Sequence, residues 1–156
     1  MSDRNGIFAG DNPFEIARLW LAEATPQEPS DANAMALATV DADGMPDVRV
    51  VLLKAIEDDR FVFFTNYQSR KGQQSAASGK AAFNSHWKSL KRQSRVRGLI
   101  EKESAQNSDA YYKSRPLGSR IGAWASRQSE PFDSKEVLVE SVRQAELDHG
   151  ESPRRP

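Results

Sequence analysis

The sequence predicts an α+β protein in which an antiparallel sheet closes into a small β-barrel with flanking helices. Three observations point there. A helical segment opens the ordered part of the chain, five short runs rich in β-branched and aromatic residues follow, and the first two connections between runs are short and polar, which favours hairpins over crossover helices. At 156 residues the chain has room for one domain with a real core and not for two full ones, so a single domain is expected.

Residues 1–11 are polar and contain glycine, and are expected to be mobile. Asn12-Pro13-Phe14-Glu15 then reads as an N-cap, a proline at the first helical position and a reciprocal glutamate, so a helix should run to about Ala24. Its apolar positions Ile16, Leu19, Trp20 and Ala24 recur at helical spacing, and Thr25-Pro26 and Pro29-Ser30 end the pattern in a loop over 25–33. The strand candidates are Ala34–Val40, Val48–Lys54, Phe61–Thr65, Ala81–His86 and Arg92–Ile100. Asp41-Ala42-Asp43-Gly44 and Glu57-Asp58-Asp59-Arg60 fall between runs and predict hairpins, giving a meander that closes on itself. Further helices are predicted over Arg70–Ala77, Ser104–Ser114, Ser119–Ser126 and Ser134–His149, with Pro116 and Pro131 as separators and a loop-like tail over 151–156.

Composition narrows the function classes. Lys plus Arg and Asp plus Glu are 22 each, so no global field draws nucleic acid or an anionic membrane, and any phosphate binding must come from local clusters. The absence of cysteine excludes disulfides and thiolate chemistry; redox work would need a cofactor. No run approaches the ~20 apolar residues of a membrane span, and no signal-peptide stretch opens the chain, which predicts a cytoplasmic protein without membrane attachment. His86 and His149 lack any metal-ligand spacing, so no metal site is expected, nor a Ser/His/Asp triad.

Four clusters carry possible chemistry. Arg49-Val50-Val51-Leu52-Leu53-Lys54 is an apolar strand with a cation near each end; five residues apart, the two cations face opposite ways unless twist or an edge position intervenes. Asn66-Tyr67-Gln68-Ser69-Arg70-Lys71-Gly72 puts a hydroxyl and two cations where a strand gives way to a helix, the arrangement that holds a phosphate dianion. Trp87–Arg97 is basic, yet its charges fall on both strand faces with a single aromatic, which argues against nucleic acid. In Tyr111–Ser119, a phenol, the Arg115 guanidinium and a hydroxyl lie close in sequence and suit a second phosphate ester.

Together with Phe64-Thr65-Asn66, His86–Gln93 and Ile121–Ser129, these clusters resemble in order and spacing the pyridoxine/pyridoxamine 5′-phosphate oxidase family, over roughly Asn12 to His149. The resemblance implies a split β-barrel of the FMN-binding type over 12–150, working as a homodimer with FMN as cofactor. It implies that Arg49, Val50, Val51, Leu52, Leu53 and Lys54 lie along the flavin, and that Arg49, Arg70 and Lys71 meet its phosphate region. Phe64, Thr65, Gln93, Gln128 and Ser129 would complete that site, and Lys54, Tyr111, Arg115 and Ser119 would hold the substrate phosphate. The implied reaction moves a hydride equivalent from C4′ of pyridoxamine or pyridoxine 5′-phosphate to the flavin; oxygen reoxidises the flavin to give hydrogen peroxide, and pyridoxal 5′-phosphate is the product. The resemblance singles out no catalytic acid, base or nucleophile. Two departures stand out. The family's Trp-Gly-Gly strand, Arg-x-His element and a further FMN-binding Arg cannot be placed in this sequence, so the alternative is a non-catalytic homologue that binds FMN or pyridoxal phosphate. Ser85 and Ser94 also stand where the family has apolar strand residues, and burying an unpaired hydroxyl costs about 1–3 kcal/mol.

Overall fold

The computed structural model describes residues 6–57 and 59–156. Residues 1–5 of the expected mobile segment, and Asp58 of the second hairpin connection, lie outside the described residues. The chain forms two compact units: one made of the residues up to Phe64 with Ala77–Ile100, the other of Thr65–Ala76 with Glu101–Pro156.

The first unit holds one helix and the whole sheet. Helix α1 (Pro13–Ala24) starts as predicted, with Asn12 Oδ1 accepting the Phe14 and Glu15 N–H groups at 2.9 and 3.4 Å. Its buried stripe is Ala17, Trp20 and Ala24; Leu19 was expected in it but faces solvent. Leu19 sits one helical step, about 100°, behind Trp20, and Ala17 takes the inward place. Preceding α1, Gly6–Phe8 make one 3-10 turn whose Ile7 carbonyl accepts the Trp20 indole N–H at 2.8 Å.

Five antiparallel strands follow: β1 (Ala34–Val40), β2 (Pro46–Ile56), β3 (Phe61–Phe63), β4 (Lys80–Trp87) and β5 (Arg92–Leu99). The order across the sheet is β3-β2-β1-β4-β5, so the chain does not continue as the plain meander expected. After β3 it passes through a helix and returns beside β1, which is Greek-key order. Alternation sends Met35, Leu37, Thr39, Leu53, Ser85 and Trp87 to the buried face. There Trp20 and Trp87 meet edge to face at 6.3 Å, and the Trp87 indole N–H donates to the Ala32 carbonyl at 2.7 Å. Ser85 and Ser94 stand directly opposite each other in the β4/β5 ladder, so the two hydroxyls that depart from the family pattern form one cross-strand pair. In the basic stretch, Arg92 bonds Glu23 at 2.5 Å and lies 5.4 Å over the Trp20 ring, which makes it part of the core's edge.

Helix α2 (Arg70–Ser78) begins in the second unit. The rest of that unit comprises α3 (Ala105–Ser114), α4 (Leu117–Ala125) and α5 (Lys135–His149). Ser104 and Ser134 cap α3 and α5 through their hydroxyls. The tail has no helix or strand, yet it is tied down: Trp124 Nε1 donates to the Arg154 carbonyl at 2.8 Å and Arg155 Nε bonds Asp109 at the same distance. Among the described residues no helix is long and apolar enough to cross a membrane.

Candidate functional site

The phosphate-type cluster in the second unit is the most fully assembled. Ser69 is the residue before α2 and is completely buried; its hydroxyl donates to the Asn66 carbonyl at 2.6 Å and accepts the Gly72 N–H at 3.3 Å. This turn fits so tightly that a β-carbon on Gly72 would lie 2.5 Å from the Tyr67 carbonyl oxygen and 2.7 Å from that of Asn66. Only glycine allows the helix to start this close to the turn. Two residues from far along the chain complete the cluster. The Arg70 N–H donates to Ser129 Oγ at 3.2 Å, and Lys71 Nζ donates to Gln128 Oε1 at 2.9 Å. Ser129 has φ 75, in the left-handed region that a serine adopts only when its surroundings hold it there. Lys71 is 9% exposed, whereas Arg70 faces solvent. Two cations, a hydroxyl, an amide and the start of a helix thus converge, a donor set suited to a phosphate.

In the same unit, Thr65 Oγ1 is buried without a hydrogen-bond partner. The predicted strand was to include Thr65, but β3 ends at Phe63, so Phe64 and Thr65 leave the ladder. A buried hydroxyl left unpaired costs about 1–3 kcal/mol and marks a place where a ligand atom would find a ready partner.

In the sheet unit, the two cations of β2 differ in exposure, Arg49 being half-buried and Lys54 exposed. Arg49 turns toward the buried side, pairing with Asp47 and donating to Thr39 Oγ1, both at 2.5 Å. Lys54 is exposed and falls at a register shift: Leu53 pairs with Phe63 and Ala55 with Val62, leaving Lys54 as the extra residue of a β-bulge. Bulges bend a strand and redirect the side chain they carry. Between the cations, Val50 is 70% exposed, Val51 and Leu52 are half-buried and Leu53 is buried. Gln93 is exposed near the start of β5, where it pairs with His86 across the hairpin.

The second predicted phosphate group is strung along the α3–α4 junction. Tyr111 lies in the last turns of α3, Arg115 is its C-cap with extended backbone, as its place before Pro116 dictates, and Ser119 is in the first turn of α4. Sequence reasoning overlooked what holds this junction. Tyr112 is 4% exposed and its hydroxyl donates to the Arg120 carbonyl at 2.8 Å, while Arg120 Nε donates to the Arg115 carbonyl at 3.1 Å. Burial raises the Tyr112 phenol above its ordinary 10.0, outweighing the opposing influence of Trp124 and of the Arg120 and Arg115 charges, so it remains a donor near neutrality. The only hint in the sequence was a second tyrosine beside Tyr111. Among the described residues, no group of three or more His, Cys, Asp or Glu is placed to hold a metal ion.

Comparison with known proteins identifies the family. The family model described as pyridoxamine 5′-phosphate oxidase matches residues 21–147. The chain belongs to the pyridoxamine 5′-phosphate oxidase family. A pyridoxine/pyridoxamine 5′-phosphate oxidase of Paracoccus denitrificans is 61% identical over 160 residues, covering 100% of this chain and 73% of that protein. One from a Ruegeria species is 58% identical, covering 100% of this chain and 78% of its own length. Among solved structures, PhzG from Burkholderia lata, in complex with tetrahydrophenazine-1-carboxylic acid, superposes with a TM-score of 0.87 at 26% identity, over 95% of this chain and 73% of its own. A pyridoxamine 5′-phosphate oxidase-related FMN-binding protein of Nostoc punctiforme has a TM-score of 0.65 at 17% identity, over 83% of this chain and 72% of its own; at that identity it supports the split-barrel fold alone.

Proposed function

We propose that this chain binds FMN and a phosphorylated B6 vitamer, and that it oxidises pyridoxamine or pyridoxine 5′-phosphate to pyridoxal 5′-phosphate with oxygen as acceptor. The observation that carries the proposal is the convergence of Arg70, Lys71, Gln128 and Ser129 at the start of α2. Family relatives that bear this activity in their names support the substrate class.

The residues present fit FMN. Arg70 and Lys71 supply the positive charge that its phosphate needs, Ser129 and Gln128 supply polar contacts, and Thr65 has a buried hydroxyl in want of a partner. Phe64, Gln93 and the strand Arg49–Lys54 are assigned to the same cofactor. Bound there, FMN would supply the two-electron acceptor that no side chain of this cysteine-free protein offers. What the chain's own residues contribute is placement. Arg115, Tyr111, Ser119 and Lys54 would hold the vitamer phosphate by charge and hydrogen bonds, fixing the distance from that anchor to the reacting carbon.

A second copy of the chain is also proposed as partner. On the outer face of the sheet Val48 and Val50 are 63% and 70% exposed, and they stand opposite Ala38 and Ala36 of β1. Such an exposed apolar strip of small residues suits a twofold contact.

The test is a titration of the purified chain with FMN at micromolar concentration, followed by flavin fluorescence, with oxygen uptake measured on addition of pyridoxamine 5′-phosphate. Quenching together with uptake is expected. Quenching without uptake would leave a binding protein without turnover, and no quenching would end the cofactor assignment.

A further inference from the structure

Three residues at the α3–α4 junction close a ring of hydrogen bonds. The Arg115 N–H donates to the Tyr112 carbonyl at 3.2 Å, the Tyr112 hydroxyl donates to the Arg120 carbonyl at 2.8 Å, and Arg120 Nε donates to the Arg115 carbonyl at 3.1 Å. Both backbone polar groups of Arg115 are therefore occupied, and Pro116 restricts its backbone to the extended conformation observed, φ −75 and ψ 148. Its guanidinium, by contrast, makes no hydrogen bond or ion pair among the described residues. The fixed parts of Arg115 are those that set where the side chain begins, and the free part is the charge.

The ring is anchored at one corner only. Tyr112 is 4% exposed and cannot move without opening the helical unit, whereas Arg115 and Arg120 are half-exposed. Arg120 thus links a buried post to the half-exposed Arg115, through its carbonyl on one side and its guanidinium on the other. The same turn carries Ser119, whose N–H, like that of Arg120, donates to the Pro116 carbonyl, at 3.0 and 3.1 Å. Holding Arg120 therefore also holds the first turn of α4.

We infer that Arg120, braced by Tyr112, is a positioning residue that presents Arg115 to the phosphate of the substrate and so sets the preference for phosphorylated over unphosphorylated vitamers. This rests on the assignment of Arg115 to the substrate phosphate. Preorganisation is what makes a single guanidinium selective: an arginine that must first be ordered gives up part of its binding free energy to that ordering.

The test compares the affinity for pyridoxal 5′-phosphate with that for pyridoxal, in the full chain with FMN present, for wild type, R120M, R120K, R115A and the double variant R115A/R120M. R120M should weaken pyridoxal 5′-phosphate binding about tenfold, the size of one missing hydrogen bond to a charge-bearing segment, with little change for pyridoxal. R120K retains a donor and should recover most of the loss. In the R115A background R120M should cost nothing further. Should R120M not fold, Tyr112→Phe opens the hydrogen-bonded ring while keeping the aromatic packing, and must show the same phosphate-selective loss. Wild-type affinity in R120M, equal losses for both ligands, or an undiminished loss in the R115A background would each overturn the positioning role while leaving Arg115's assignment standing. No effect of R115A alone would remove that assignment, and the positioning role with it.

Discussion

The sheet unit and the helical unit bury different kinds of residue. In the first, the buried residues are mostly apolar and lie on one face of regular elements: Trp20, Met35, Leu37, Leu53 and Trp87. In the second, Ser69, Lys71, Gln74 and Ser108 are buried beside Tyr112, Ile121 and Ala145, and the ties are side-chain hydrogen bonds that span long stretches of chain. The sheet draws its stability from apolar area removed from water, which tolerates small changes of angle. The buried polar side chains of the helical unit depend on directional bonds, each modest in net effect but demanding in geometry. Substitutions in the two units should therefore differ in kind: loss of fold in one, loss of binding geometry in the other.

The largest effect should come from the sheet unit. Trp87→Ala removes the edge-to-face contact with Trp20 and leaves the Ala32 carbonyl without its donor, and is expected to cost about 3–5 kcal/mol in urea unfolding. Gly72→Ala is the corresponding strike at the helical unit. Its β-carbon would meet two backbone carbonyl oxygens at 2.5 and 2.7 Å, so the start of α2 must shift, at a cost of about 1–3 kcal/mol. FMN affinity should fall by more than that stability loss accounts for. Equal changes would mean that the turn matters only for folding. Tyr112→Phe should be mildest, about 0.5–1.5 kcal/mol near neutral pH. Because the folded phenol holds its proton above the ordinary 10.0, its contribution is complete below that pH and is lost as pH rises through the folded value. The phenylalanine variant should lack this alkaline decline, which thermal melts across that range would reveal.

Much of the sheet unit was legible in the sequence because alternation and capping are local signals. Asn12-Pro13 marked the start of α1, and Ala34–Val40 is β1 to the residue. Partner choice was not legible. Nothing in the periodicity of Ala81–His86 says that β4 pairs with β1, since any strand with one apolar face satisfies the pattern. The bulge at Lys54 was equally hidden, because it arises from two strands pairing out of step. In the helical unit, residue types at Arg70-Lys71 suggested a phosphate site, but the bonds to Gln128 and Ser129 join positions 57 and 59 residues apart. The ring through Tyr112 and Arg120 carries no motif, because its bonds end on backbone carbonyls, which every residue possesses.

The most direct test of the cofactor site replaces Arg70 and Lys71 together by alanine and measures FMN affinity and urea stability on the same preparation. Removing two charge-assisted interactions at once should weaken FMN binding about a hundredfold or more, while stability falls by less than about 2 kcal/mol. FMN binding that survives the double replacement, or that declines only in step with unfolding, would show that these cations serve the fold and not the flavin.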